Sequence, residues 1–416
     1  MNISQQFSPP FKLIAPFFIV GISVYVVSVL SLFSFDISTL HYLNNLTLAW
    51  VHVFLLGFMM MIIFGAMAQL VPVVLEVEHF EVGLYYAIYP LLLIGTLFMA
   101  VGFYGFPMLL PFGGTIVFIA FSIFLFETFL TIRKVKKLNF VIVSILIANI
   151  FLLLGLIVGI VMALGYGGLM DIDLESLLRS HVYLVLIGYV SITIMGVGFI
   201  LVPMFWLSHG FSWRYAKIAL VTLSLSVVLI VIGSLTYINL LNTLAYVLTI
   251  ISFFLYAYNI YVIYKKRVRL ETDIYFKSIL FSSISLLITL ILGIFYFITQ
   301  KQEILLATFW MVFFGFITHI IIGHLYKIIP FLVWYERFSP YVGKKQVPML
   351  ADMVPVNSAN MQFIFSSIGV LCVLVSILIG DEVVYKSGLS FLSMGAIFLF
   401  KDVLTMINFK GSLDVQ

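Results

Sequence analysis

Charge is what this sequence has least of. Asp, Glu, Lys and Arg make up 9% of its 416 residues, while 63% are hydrophobic. A soluble domain carries about 25% charged residues, and a chain this poor in charge cannot keep a globular surface in water. A soluble enzyme or binding module is therefore excluded. A nucleic-acid partner is excluded too, because the formal net charge is only +4 and the basic residues gather in loops. Cysteine is nearly absent: Cys372 stands alone, so no intramolecular disulfide can form. A basic stretch ahead of the first apolar run is also missing. That run, 13–32, is long enough to span a bilayer, and we read it as a retained helix rather than a cleaved signal.

Long apolar runs are what the chain has instead. At roughly 20 residues per span, the sequence predicts an all-α polytopic membrane protein, a single transmembrane domain over 1–416, with twelve helices. They are expected at about 12–34, 46–75, 84–105, 107–132, 138–165, 178–207, 214–236, 240–265, 274–299, 303–334, 359–380 and 384–408. Tyr104-Gly105-Phe106-Pro107 reads as a tight turn between the third and fourth. With the N-terminus inside, one set of loops collects Lys12, Arg133 to Lys137, Arg214, Lys217, Lys265 to Arg269, Lys277, Arg337, Lys344, Lys345 and Lys410. The opposite loops hold only Arg179, Lys301 and Lys386 among basic residues. This bias predicts cytoplasmic N- and C-termini in a bacterial-type inner membrane.

An internal repeat organises the spans. Gly57-Phe58, Gly65, Pro72 and Phe80 in the second span match Gly188-Tyr189, Gly196, Pro203 and Phe211 in the sixth. Gly315-Phe316, Gly323, Pro330 and Phe338 in the tenth follow the same spacing. The prolines lie 131 and 127 residues apart (203 − 72 and 330 − 203). We expect three pseudo-symmetric four-helix groups, about 12–132, 138–265 and 274–408. Glycine at such spacing also serves plain helix packing.

Ionisable side chains inside such spans are expensive and mark candidate sites. His52 lies twenty residues before its proline and His181 twenty-two before its own, about 30 Å away along a helix. His319 lies eleven residues before Pro330, near mid-membrane, and shares one face with Gly315, Gly323 and Lys327. Glycines above and below it would admit a flat cofactor or a second backbone. His324 is turned about 140° from His319, so the two are not expected to hold one atom. Met61 occupies the place of His319 in the second span, with Gln69 further in. Plainer readings run beside these. An intramembrane histidine is as often a packing residue, Met61 a gap filler, and Lys327 and Lys401 snorkelling cations. Phe331, Trp334 and Tyr335 read as an interfacial aromatic belt. His41, His79 and His209 read as solvated loop residues, and Glu127 as a partner for Arg133 at a helix end.

With its twelve spans in three groups and with His52, Gly65 and Pro72 in the second, the chain resembles the central subunit of the haem–copper oxidase superfamily. In that family the second helix opens on a haem-ligating histidine and closes on a glycine seven residues before a proline. A copper-ligating histidine lies near the place of His181. Other features depart from the family. The tenth helix has Thr308 and Trp310 where the family carries a His-x-His pair, the seventh span lacks histidine, and His181-Val182-Tyr183-Leu184 replaces a His-Pro-Glu motif. A copper centre needs about three imidazoles, so oxygen reduction is not expected. The resemblance is closer to non-oxidase relatives such as the NnrS-type haem proteins linked to nitric-oxide responses.

The resemblance implies a haem-binding, or copper- or other metal-binding, membrane protein of respiration or nitric-oxide handling. His52, His181, His319 and His324 are its candidate cofactor ligands, and His52, His181 and His319 its candidate metal ligands. Its partners would be the lipid bilayer and a redox partner or another membrane subunit. His52 and His319 differ by nine residues in register, about 13 Å, which disfavours them as a simple axial pair. One alternative is a proton or small-solute transporter with Gln69, His319, His324 and Lys327 along a polar path. Another is a cofactor-free accessory or assembly subunit.

Overall fold

The computed structural model describes residues 9–37, 40–41 and 43–411. Among the described residues twelve helices are long and apolar enough to cross a membrane. They are α1 (Phe11–Ser34), α2 (Asn45–Leu75), α3 (Val82–Tyr104), α4 (Pro107–Ile132), α5 (Phe140–Tyr166) and α6 (Leu174–Trp206). They continue with α7 (Arg214–Thr236), α8 (Asn239–Lys265), α9 (Ile274–Thr299), α10 (Gln302–Arg337), α11 (Val356–Ile379) and α12 (Glu382–Ile407). The expected spans agree to within a few residues, and the turn after Tyr104 is present. The largest difference is at α6, which begins four residues early. There Asp173 caps the helix, its carboxylate accepting from the Glu175 and Ser176 amides, so a polar first turn extends the apolar span. Asn44, Asn139, Asp273 and Asp381 cap α2, α5, α9 and α12 in the same way.

The Asp173 carboxylate is held below its ordinary range, first by the Ser176 amide and then by the Tyr237 hydroxyl. A lowered carboxylate stabilises the fold above its unfolded pKa, and that stability is lost as pH falls through the folded value. Amide exchange at Glu175 and Ser176 is expected to speed up below about pH 4. In Asp173→Asn, whose side chain does not titrate, exchange measured by mass spectrometry should lack this step.

The chain divides into two compact units, Pro72–Glu271 and Ser8–Val71 with Thr272–Gln416. Within the first, α3 packs on α4, α4 on α5, α5 on α6, and α7 on α8. Within the second, α1 packs on the first part of α2 and on α12, α9 on α10, and α11 on α12.

The glycine frame has one structural use in all three copies. A Cβ on Gly65 would fall 2.7 Å from Phe17 of α1, one on Gly196 2.6 Å from Ser144 of α5, and one on Gly323 3.0 Å from Ser278 of α9. Gly188 and Gly315 likewise stand against Phe151 and Ser285. Each repeat helix thus presses its glycine face onto the helix before it in the chain. The first glycine of each copy also lies in a π-helical stretch: Val53–Met60, Tyr183–Ser191 and Met311–Ile317. Such a stretch inserts a residue into the turn and exposes carbonyls that the α ladder would use. In α6 and α10 side chains five residues on take them: Ser191 donates to Leu186 O, and Thr318 to Phe313 O.

Candidate functional site

The four candidate histidines share one electronic arrangement. His52 Nδ1 meets Leu48 O at 2.8 Å, His181 Nδ1 meets Gly155 O at 3.0 Å, His319 Nδ1 meets Phe314 O at 2.8 Å, and His324 Nδ1 meets Ile320 O at 2.8 Å. A carbonyl can only accept, so each Nδ1 carries the proton. In the neutral ring, Nε2 then holds the lone pair. That tautomer, anchored on a main-chain oxygen, is the one that ligates a metal through Nε2. Local structure explains each anchor. His319 reaches a carbonyl five residues back, which the π stretch of α10 makes available. His181 crosses to α5, where Gly159 leaves room for its ring: a Cβ there would lie 2.9 Å from His181 Cε1.

Their surroundings differ. His319 is 1% exposed, with its ring 4.3 Å from Phe281 of α9 and 6.3 Å from Phe363 of α11. Its Nε2 has no hydrogen-bond partner among the described residues. The glycines beside it admit α9, so a second backbone, and not a flat cofactor, occupies that face. His324 meets Tyr275 edge-on at 5.3 Å, a neighbour different from those of His319. His52, His319 and His324 belong to one compact unit and His181 to the other. Among the described residues no three His, Cys, Asp or Glu side chains are grouped to hold a metal ion, so the residues present do not fit a copper centre of three imidazoles.

A haem needs one strong ligating nitrogen and apolar surface for its ring; the anchored His52 imidazole offers the first, while the aromatic rings of the same stretch of α2 lie on another face of the helix, two residues from His52 in either direction. Trp50 stacks on Phe54 at 5.1 Å and on Phe314 at 5.9 Å, Tyr25 lies 4.6 Å from Phe58, and Trp310 4.2 Å from Phe314. This aromatic seam joins α1, α2 and α10 next to the His52 turn. α10 carries no imidazole at the two outer-end places. Thr308 donates to Ile304 O of its own helix, and Trp310 donates its indole N–H to Val370 O.

Several side chains stand elsewhere than expected. His79 is buried, not solvated: its Nδ1 lies 2.7 Å from Glu127 Oε1, and the two side chains are 1% and 0% exposed. Glu127 therefore serves His79, and also accepts from Phe80 N and the Thr131 hydroxyl, instead of pairing with Arg133. The residues after α2 curl back over α4 and bring His79 there, a tertiary event that loop composition does not reveal. Lys327 does not simply snorkel, because its ammonium meets Asp273, the cap of α9, at 2.7 Å. Met61 is core at 0% exposure. Gln69 is buried.

Asp402 of α12 was not singled out by motif. It is 0% exposed and accepts from the Tyr326 hydroxyl at 2.7 Å. The signal was a carboxylate inside an apolar span, masked by the adjacent Lys401, which made the pair look like a helix end.

No protein-family model matches the sequence, and no curated protein matches it either. Among solved structures, the chain is similar to one described as a cryo-EM structure of a heme-copper terminal oxidase dimer that provides insights into its catalytic mechanism. The similarity covers 97% of this chain and 85% of that one, at 11% identity and a TM-score of 0.65. At that identity the likeness extends to the fold. The chain is an integral membrane protein with a fold similar to that of a haem–copper oxidase subunit.

Proposed function

We propose that the chain is a haem-binding membrane protein of respiration or nitric-oxide handling, with His52 as axial ligand, and that it does not reduce oxygen. The observation that supports this is the Leu48-anchored His52 imidazole, whose Nε2 keeps its lone pair, in a fold similar to that of a haem–copper oxidase subunit. A bound haem would supply an iron centre able to accept an electron or a diatomic ligand. The chain's own part is to fix the His52 tautomer through the Leu48 carbonyl and to offer no imidazole from Thr308 or Trp310. Both termini would lie on the cytoplasmic side of a bacterial-type inner membrane, with a redox partner or another subunit at its surface.

Purified, untagged protein is expected to show a Soret band that His52→Ala removes by more than about tenfold, as loss of a sole axial ligand requires. His319→Ala should leave the band in place. A wild-type preparation with neither haem nor metal overturns the reading.

A transporter reading rests on a different observation: polar side chains along α9 and α10, the buried His319 and the half-buried His324 and Lys327–Asp273 pair. It predicts a haem-free protein that carries protons or a small solute across vesicles. A cofactor-free accessory subunit would show neither property.

A further inference from the structure

Asp402 poses a problem that the haem reading does not address. Its side chain is 0% exposed within a membrane-spanning helix. No cationic side chain lies within salt-bridge distance of it among the described residues. Lys401, its neighbour in sequence, is exposed and attracts the carboxylate only from beyond salt-bridge distance. An unpaired ionised carboxylate in hydrocarbon costs several kcal/mol, so a carboxylate persists there either as the neutral acid or with a bound cation.

The oxygens around it are arranged accordingly. One carboxylate oxygen, Oδ2, accepts from the Tyr326 hydroxyl at 2.7 Å. Ser358, on the first turn of α11, stands close enough to act on the same carboxylate as a hydroxyl donor, though not at direct hydrogen-bonding geometry. Yet neither Asp402 Oδ1 nor Ser358 Oγ meets a partner within hydrogen-bonding geometry. Two neighbouring buried oxygens, both unsatisfied, lack what would join them. One turn along the same face of α11, Gln362 is 0% exposed, donates to the Ser366 hydroxyl at 2.9 Å and leaves its carbonyl oxygen unsatisfied. Every atom available is a hard oxygen donor, which suits a proton or an alkali cation and not a soft metal.

Other charges do not fill the role. On α10, Lys327 is held by Asp273, Glu336 accepts from Phe11 N, and Arg337 donates to Phe409 O. His319 and His324 use Nδ1 on their own helix. On α11 the other titratable group is Cys372, ten residues beyond Gln362. On α1 they are Lys12, which is exposed, and Tyr25, which sits in the aromatic seam.

We propose that Asp402, with the hydroxyls of Tyr326 and Ser358, is a binding site for one monovalent cation, a proton or sodium, between α10, α11 and α12. In the proton form Oδ1 gains the hydrogen and donates it to Ser358 Oγ. In the sodium form the two carboxylate and two hydroxyl oxygens face the ion. The site is independent of His52 and of any haem.

The test is modification of the full-length protein in detergent by a hydrophobic carbodiimide, which reacts with neutral carboxylic acids in apolar surroundings, read by peptide mass spectrometry. Asp402 is expected to be modified and Asp402→Asn not. With a proton as the ligand, the rate falls roughly tenfold per pH unit above the site's midpoint and sodium has no effect. With sodium as the ligand, sodium but not choline chloride slows the reaction at fixed pH. Tyr326→Phe, which keeps the ring and removes one donor to the carboxylate, should shift the pH or sodium midpoint. A purely structural pair would change stability alone. Absence of modification at Asp402, or a rate indifferent to both pH and sodium, overturns the proposal.

Discussion

Glu127→Ala is expected to destabilise the protein by about 3–5 kcal/mol, because three buried donors lose their acceptor at once. It should appear as a large fall in the thermal midpoint of the detergent-solubilised protein. The reason lies in one oxygen. Glu127 Oε1 accepts from His79 Nδ1 at 2.7 Å, from Phe80 N at 3.0 Å and from the Thr131 hydroxyl at 2.7 Å. Alanine leaves these donors in an interior where each unsatisfied group costs about 1–3 kcal/mol. Lys134, which donates to the Glu78 and His79 carbonyls, closes the same loop from outside. Glu127→Gln keeps an acceptor of the same shape and should recover most of the difference. Equal losses in the two variants would show that side-chain volume, and not the acceptor, matters at this position.

Gly369→Leu is the second change with a large expected effect. A Cβ at this place would fall 2.6 Å from Leu392 N and 2.8 Å from Gly388 O. Both are main-chain atoms, so no rotamer change relieves the contact, and α11 must move away from α12. Overpacking of this kind costs about 1–3 kcal/mol even for small additions; a whole leucine side chain should reach or exceed the upper figure. The same displacement carries Ser358 and Gln362 away from Asp402, so cation-dependent carbodiimide modification should vanish along with stability. Gly293→Leu is the control: nothing lies within 4 Å of its Cβ position, and the variant should behave as wild type. If Gly369→Leu unfolds no more easily than Gly293→Leu, the close α11–α12 contact is not a stabilising one.

The two variants mark where sequence reasoning ended. The spans were legible because hydrocarbon imposes a length of about 20 apolar residues whatever the tertiary structure. The glycine–proline frame was legible because three copies with one spacing leave a trace in the sequence. Its use was not. Gly315 and Gly323 flank His319 whether the facing object is a cofactor or a helix, and only the position of α9, with Ser285, Ser278 and Phe281 against that face, decides for the helix.

Site chemistry was less legible still. His52, His181, His319 and His324 could be named from the sequence, but their tautomers depend on carbonyls of Leu48, Gly155, Phe314 and Ile320 that fall into reach through helix geometry, in two cases through a neighbouring helix or a π turn. His79 and Glu127 stand 48 residues apart, and Tyr326 and Asp402 stand 76 apart. No local pattern joins residues at such separations.

By itself the sequence determined the solvent in which this protein lives, the number of times it crosses that solvent, and the repeated frame of its long helices. These follow from transfer free energies and backbone sterics, which act residue by residue. The tertiary structure alone decided which polar groups meet inside the bilayer. A buried carboxylate such as Glu127 or Asp402 is tolerated only through its partners, and those partners come from other helices.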